Sequence, residues 1–180
     1  MGMAQLPMAV SNAEILDLNK AGVRNVRCNR KPGGSETIQH LEHMARRIFG
    51  LIGWHVELYM GAKDLSVLHP TLLSLPAVSI DHLELSKQGF PWLLKLVERG
   101  ARVKATKFGR VDFDIGSALK ALYAAKSQSL IFGTGLPSTR APRPYSDEHL
   151  LLIVQSLGET AASAVLYKNA VAFYLPAKIS

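Results

Sequence analysis

The chain has 180 residues, 48% of them hydrophobic and 19% charged, with a formal net charge of +7. That length suits one domain with a real core, and that balance excludes a disordered chain. No apolar run approaches the ~18 residues of a membrane span, and "MGMAQLPMAV" lacks the layout of a secretory signal, so the reading is a single cytoplasmic domain over 1–180 with no membrane partner.

The positive charge raises the question of nucleic acid. Arg and Lys never run beyond two in a row, and no zinc finger or aromatic-and-basic RNA signature occurs. Nucleic acid is therefore not expected as a partner. The single cysteine, Cys28, allows no internal disulfide and reads as a small buried hydrophobe rather than a nucleophile.

In chain order, Ser11 with Glu14 forms a capping box that opens a helix closed by Gly22. The strand "GVRNVRCN" (22–29) follows, then a helix opened by Ser35. In that helix Ile38, Leu41, Met44, Ala45, Ile48 and Leu51 fall on one apolar stripe, with His40 and His43 beside it on a solvated face. Four more strands are expected at "WHVELYM" (54–60), "AVSIDHL" (77–83), "ARVKATKF" (101–108) and "SLIFGT" (129–134), each followed by a helical segment. Two final helices, "SDEHLLLIVQSLG" and "ETAASAVLYKNAVAFY", end the chain.

Strands alternating with helices predict a parallel sheet with helices packed outside it. Both an open doubly wound sheet and a closed barrel fit this order. "RKPGGSE" (30–36) matches neither the dinucleotide nor the P-loop spacing, which weakens the nucleotide-binding form of the open sheet. In either case the chemistry belongs at the C-terminal ends of the strands.

Side chains alternate across a strand, so His55, Glu57 and Tyr59 share the inward face, opposite Trp54, Val56, Leu58 and Met60. Asn25, Arg27 and Asn29 share a face, as do Val78, Ile80 and His82. His82 closes its strand and is the leading candidate for chemistry, able to ligate a metal or polarise a carbonyl. Asp81, facing the other way, is expected to tie down a loop or helix N-terminus. Arg27, Arg30, Lys31, Lys107, Arg110, Arg140 and Arg143 gather along the same rim, which suits a carboxylate ligand.

With these residues in view, the chain resembles the amidohydrolase superfamily, in the branch of 2-pyrone-4,6-dicarboxylate lactonase and related TIM-barrel hydrolases. The resemblance rests on "AGVRNVRCN" (21–29), "GWHVELY" (53–59), "VSIDHL" (78–83), "RVKATKFGRVDFD" (102–114), "LIFGTGLPSTRAPRPYSD" (130–147) and "NAVAFY" (169–174). It implies an α/β fold: a partial (β/α) barrel of five parallel strands, the family's fourth to eighth, with the first three largely absent. "MGMAQLP" then resembles the chain leaving the third strand. The exposed inner face and edges of such a sheet predict a homo-oligomer, or a flattened sheet covered by its own terminal helices.

The resemblance also implies an activity. The family hydrolyses lactones or amides by water attack on a polarised carbonyl, with His82 at the position of a catalytic or metal-binding histidine. Tyr59, Arg27 and Arg110 match positions that hold an anionic, carboxylated substrate. The cofactor implied is none or one divalent metal such as zinc, with His82 as ligand. Gly135 stands where the family has an aspartate that serves as general base, and no His-x-His pair occurs. Glycine accepts no proton, so low activity is expected, and a non-catalytic chain that binds a small anion or self-assembles is the alternative. Glu84 and Lys107 stand where the family has glycine.

Overall fold

A computed structural model of the chain describes residues 2–29, 38–84, 86–137 and 142–175. Six parallel strands form one curled half-barrel: β1 (Gly2–Ala4), β2 (Val23–Asn29), β3 (His55–Tyr59), β4 (Val78–Ile80), β5 (Arg102–Ala105) and β6 (Leu130–Phe132), ordered β1-β2-β3-β4-β5-β6. The helices are α1 (Asn12–Lys20), α2 (Ile38–Ile52), α3 (Ala62–Ser74), α4 (Phe90–Glu98), α5 (Ile115–Ala125) and α6 (Glu148–Leu157). A short α7 (Glu159–Ser163) runs through a π-helical turn, Ala164–Lys168, into α8 (Asn169–Tyr174). No helix among the described residues is long and apolar enough to cross a membrane.

The expectation of five strands is overturned by β1. Its three residues are too few for periodicity to register; the strand exists because β2 pairs with it, Gly2 opposite Val23 and Met3 opposite Asn25. The other strands lie where their alternation predicts, trimmed at the ends. The Ser11–Glu14 capping box is present, whereas Ser35, the expected cap of α2, lies outside the described residues. Asp147 rather than Ser146 stands at the N-cap of α6.

Parallel neighbours in sequential order, joined by right-handed crossovers, place the helices on one side of the sheet. On that side Val56, Leu58, Val78, Ile80 and Val103 are buried against the apolar stripes of the helices, including Leu41, Met44, Ala45 and Ile48 of α2. His40 and His43 are exposed, and half-buried Cys28 packs against this core. The concave side carries Asn25, Arg27, Glu57, Asp81 and Lys104 and is where the candidate site residues stand.

The foot of the concave side is covered by the chain itself. Asn169 anchors α8 there, donating from Nδ2 to the carbonyls of Ser127 (3.0 Å) and Leu130 (2.9 Å). Phe173 then packs on His55 with ring centroids 4.1 Å apart, and under the Arg102 guanidinium at 5.4 Å. Tyr174 lies 5.4 Å from His55. The expected cover by terminal helices is thus met in part, on a sheet that is curled rather than flat.

Burial, and then the charges of Lys104 and Arg102, push the His55 imidazole down to about 3. The unfolded chain therefore binds a proton at this residue below about pH 6.5, while the folded chain does not until near pH 3. The native state loses stability as pH falls through that window, by at most about 1.4 kcal/mol per pH unit for one such group. Urea unfolding between pH 7 and pH 4 is expected to show a steeper loss for the natural chain than for His55→Phe. Equal losses would mean that His55 is already protonated in the native protein.

Candidate active site

Four charged side chains from four adjacent strands meet on the concave face. Arg27 of β2 donates from Nη1 to Glu57 Oε1 (3.3 Å) and from Nη2 to Asp81 Oδ2 (2.6 Å). Lys104 of β5 pairs with Glu57 and lies 3.6 Å from Asp81 Oδ1. Asn25 Nδ2 donates to the second Glu57 oxygen at 2.6 Å. Glu57 and Asp81 are only 1% and 2% exposed, so two buried carboxylates are balanced by two cations. Burial, and then the Glu57 charge, push the Asp81 carboxyl up to about 6 against the pull of Lys104 and Arg27. A cavity of about 200 Å³ opens beside this network, lined by Met3, Asn25, Glu57, Lys104 and Tyr174.

Above the network, at the C-terminal ends of β3 to β6, is the rim. β4 ends at Ile80, and the backbone then turns left-handed at two consecutive residues, His82 (φ 57°) and Leu83 (φ 55°). Such conformations cost of order 1–3 kcal/mol each outside glycine and are a recurring mark of functional sites. Here the turn brings the His82 ring over the rim, its Nδ1 2.5 Å from Thr106 Oγ1 and its centroid 5.6 Å from that of Tyr59. Arg110 Nη2 donates to the Tyr59 hydroxyl at 3.2 Å. His82, Tyr59, Arg110 and Thr106 thus form one cluster drawn from three strand ends.

The field at this cluster is positive. Burial, and then the charges of Lys107, Arg27, Arg110 and Lys104, push the His82 imidazole down to about 3, so the ring is neutral at physiological pH. A divalent metal fits poorly here. Among the described residues no three His, Cys, Asp or Glu side chains come together as a metal site, and the charges that act most strongly on His82 are cations. The carboxylates below are held by Arg27 and Lys104.

Gly135 stands beside Lys107. A Cβ at Gly135 would come within 3.0 Å of Lys107 Cγ and 3.6 Å of its Cε, so the lysine stem fills the space that an acid there would need. Both residues have left-handed backbone, Gly135 at φ 69° and Lys107 at φ 53°. The other acids near the rim are committed elsewhere: Asp112 accepts from the Lys87 backbone N–H at 2.8 Å, and Asp147 from the Tyr145 hydroxyl at 3.1 Å.

Of the residues singled out from sequence, His82, Tyr59 and Arg110 are brought together, and Gly135 adjoins them through Lys107. Arg27 lies one layer deeper, with both terminal nitrogens donating to carboxylates. Asp81 is not a loop tie but a member of the ion network: Ser79 pairs with Glu57, so Ser79 and then Asp81 fall on the concave side while Val78 and Ile80 face the helices. Arg143 is exposed, while Arg30, Lys31 and Arg140 lie outside the described residues, as does the Glu84 side chain. Lys104 and Thr106 carry no site role in the sequence reading. Inward alternation along "RVKAT" would have found both, since Arg102, Lys104 and Thr106 share a face.

No family model matches the chain. Over 85 residues, 46% of its length, it is 38% identical to a 2-pyrone-4,6-dicarboxylate hydrolase from Comamonas testosteroni, a match that spans 28% of that protein. Among solved structures it is similar to a probable 2-pyrone-4,6-dicarboxylic acid hydrolase from Acinetobacter baumannii with citric acid bound, at TM-score 0.75 and 21% identity over 96% of this chain and 72% of that one. It is equally similar to a ligand-free Agrobacterium tumefaciens protein, at TM-score 0.75 and 21% identity over 96% of this chain and 67% of that one. The chain therefore has the fold of these proteins over nearly its whole length, and about half of it is related in sequence to a lactone hydrolase.

Proposed function

We propose that the chain is a relative of the 2-pyrone-4,6-dicarboxylate hydrolases that binds a small carboxylated lactone at the rim and hydrolyses it slowly. The observation that carries this reading is the convergence of His82, Tyr59 and Arg110 on one neutral-imidazole, positively charged rim. A neutral imidazole can polarise a carbonyl by donating a hydrogen bond, as imidazolium formation is suppressed by the surrounding cations. Arg110 and Lys107 supply positive charge for the ligand carboxylates, with Tyr59 holding the guanidinium in place. Arg27 contributes field from below.

In the reaction, water attacks the acyl carbon, a new C–O bond forms, and the ring ester C–O bond breaks. The water proton ends on the released ring oxygen. The structural neighbour with citric acid bound favours a small polycarboxylate as ligand for this chain too. Neither Gly135 nor any described acid at the rim takes the proton of the attacking water, which limits the rate. That same feature favours a second reading, a binder of small carboxylates without turnover.

Binding of 2-pyrone-4,6-dicarboxylate, followed by calorimetry, is expected to weaken about 10- to 100-fold in Arg110→Met, the loss of one charged hydrogen bond of about 1.5–3 kcal/mol. An unchanged affinity in this variant would remove Arg110 from the site.

Hydrolysis, followed by loss of the pyrone absorbance, separates the two readings. Gly135→Asp alone is expected to gain little, because Lys107 would capture the new carboxylate. Gly135→Asp with Lys107→Gly frees the acid and replaces a left-handed lysine by the residue best suited to that backbone. It is expected to gain about 100-fold or more, the usual contribution of a placed base. No gain in the double variant at ligand concentrations that saturate it would leave the carboxylate-binder reading in place.

A further inference from the structure

Thr106 follows β5 and is 7% exposed. It is held on two sides. Its Oγ1 lies 2.5 Å from His82 Nδ1, and its methyl packs toward Gly133, where an added Cβ would come within 3.0 Å of Thr106 Cγ2. A β-branched side chain has few χ1 choices, so a methyl pressed against the end of β6 aims the hydroxyl at the imidazole.

Neutral imidazole carries one N–H and one lone pair, and a hydroxyl carries one hydrogen. If Nδ1–H donated to Thr106, the threonine hydrogen would need an acceptor of its own. Among the described residues the hydroxyl has no partner but His82, and a buried donor left unpaired bears its full desolvation cost. If Thr106 donates to Nδ1 instead, both buried groups are satisfied and the ring hydrogen sits on Nε2. That nitrogen has no partner among the described residues, yet it is not one of the sealed atoms left unpaired. It is open to water or a ligand.

We propose that Thr106 is a positioning residue that fixes His82 as its Nε2–H tautomer and so makes the ring a hydrogen-bond donor toward an acyl oxygen bound at the rim. The donor role rests on the lactone reading; the tautomer does not. Burial and the surrounding cations keep the ring neutral, so it has a single N–H and its tautomer decides whether it donates or accepts.

The test is long-range proton–nitrogen correlation NMR of the nitrogen-labelled full chain at neutral pH, with the His82 signals identified by their loss in His82→Gln. The natural chain and Thr106→Ser are expected to show a pyridine-like Nδ1 and a pyrrole-like Nε2, and Thr106→Val to lose that single pattern. A pyrrole-like Nδ1 in the natural chain overturns the assignment, and this spectrum decides even if Thr106→Val does not fold. A Thr106→Val that keeps the natural pattern overturns it as well. On adding 2-pyrone-4,6-dicarboxylate, the Nε2 proton signal of the natural chain is expected to shift. A ligand that binds by calorimetry yet leaves this signal unmoved overturns the donor role. If the ligand fails to bind while the tautomer is as stated, the lactone reading falls and the tautomer assignment stands.

Discussion

The network of Arg27, Glu57, Asp81 and Lys104 is the constraint on which the concave face depends. It joins β2, β3, the end of β4 and β5 through side chains on the concave side, opposite the crossover helices and next to α8. A buried network of this kind is weak evidence for stability, because desolvation offsets much of the attraction. Its parts are nonetheless interdependent. Removing one partner leaves a buried charge unpaired, which typically costs about 3–5 kcal/mol. The consequence is positional: Tyr59 lies two residues beyond Glu57, His82 one beyond Asp81, and Thr106 two beyond Lys104. The strand ends that carry the rim are therefore tied together one layer below it.

The balance of charge inside the network also shapes the field above it. Arg27 and Lys104 offset Glu57 and Asp81, so the lower layer is close to neutral as a whole. The rim adds Lys107 and Arg110 without an acid at Gly135. A neutral imidazole in a positive field is a poor proton acceptor and a good hydrogen-bond donor. The same positive field disfavours protonation of His82.

Much of this was legible in the sequence. The inward set His55, Glu57 and Tyr59 follows from alternation alone, as does the apolar stripe of α2, because both patterns repeat over several residues. β1 was not legible, since three residues carry no period and its existence depends on the edge that β2 offers. His82 was found by its place at a strand end, but not its route to the rim. That route runs through two left-handed residues that side-chain alternation cannot foresee. Asp81 differs: it keeps the alternation of Ser79, and only the pairing of Ser79 with Glu57 shows that this face, not that of Val78 and Ile80, is the concave one. Alternation along "RVKAT" places Lys104 and Thr106 on the inward face with Arg102; their partners, brought to them across the sheet, have no local signature. The covering of His55 by Phe173 joins residues far apart in sequence and has no local signature.

Lys107 and Gly135 are best understood as one exchange rather than two. A lysine at a left-handed position is unfavourable unless its side chain has somewhere to go, and the missing side chain at Gly135 provides that space. An acid at Gly135 with Lys107 unchanged would be drawn into an ion pair. A glycine at 107 with Gly135 unchanged would leave the space unfilled and the rim poorer by one cation. Each residue makes the other tolerable, and together they put a lysine stem where a side chain at 135 would stand. The rim they leave sets Lys107 and Arg110 around the neutral His82 ring. On the proposed reading this favours binding over turnover, since no described acid at the rim takes the proton of the attacking water.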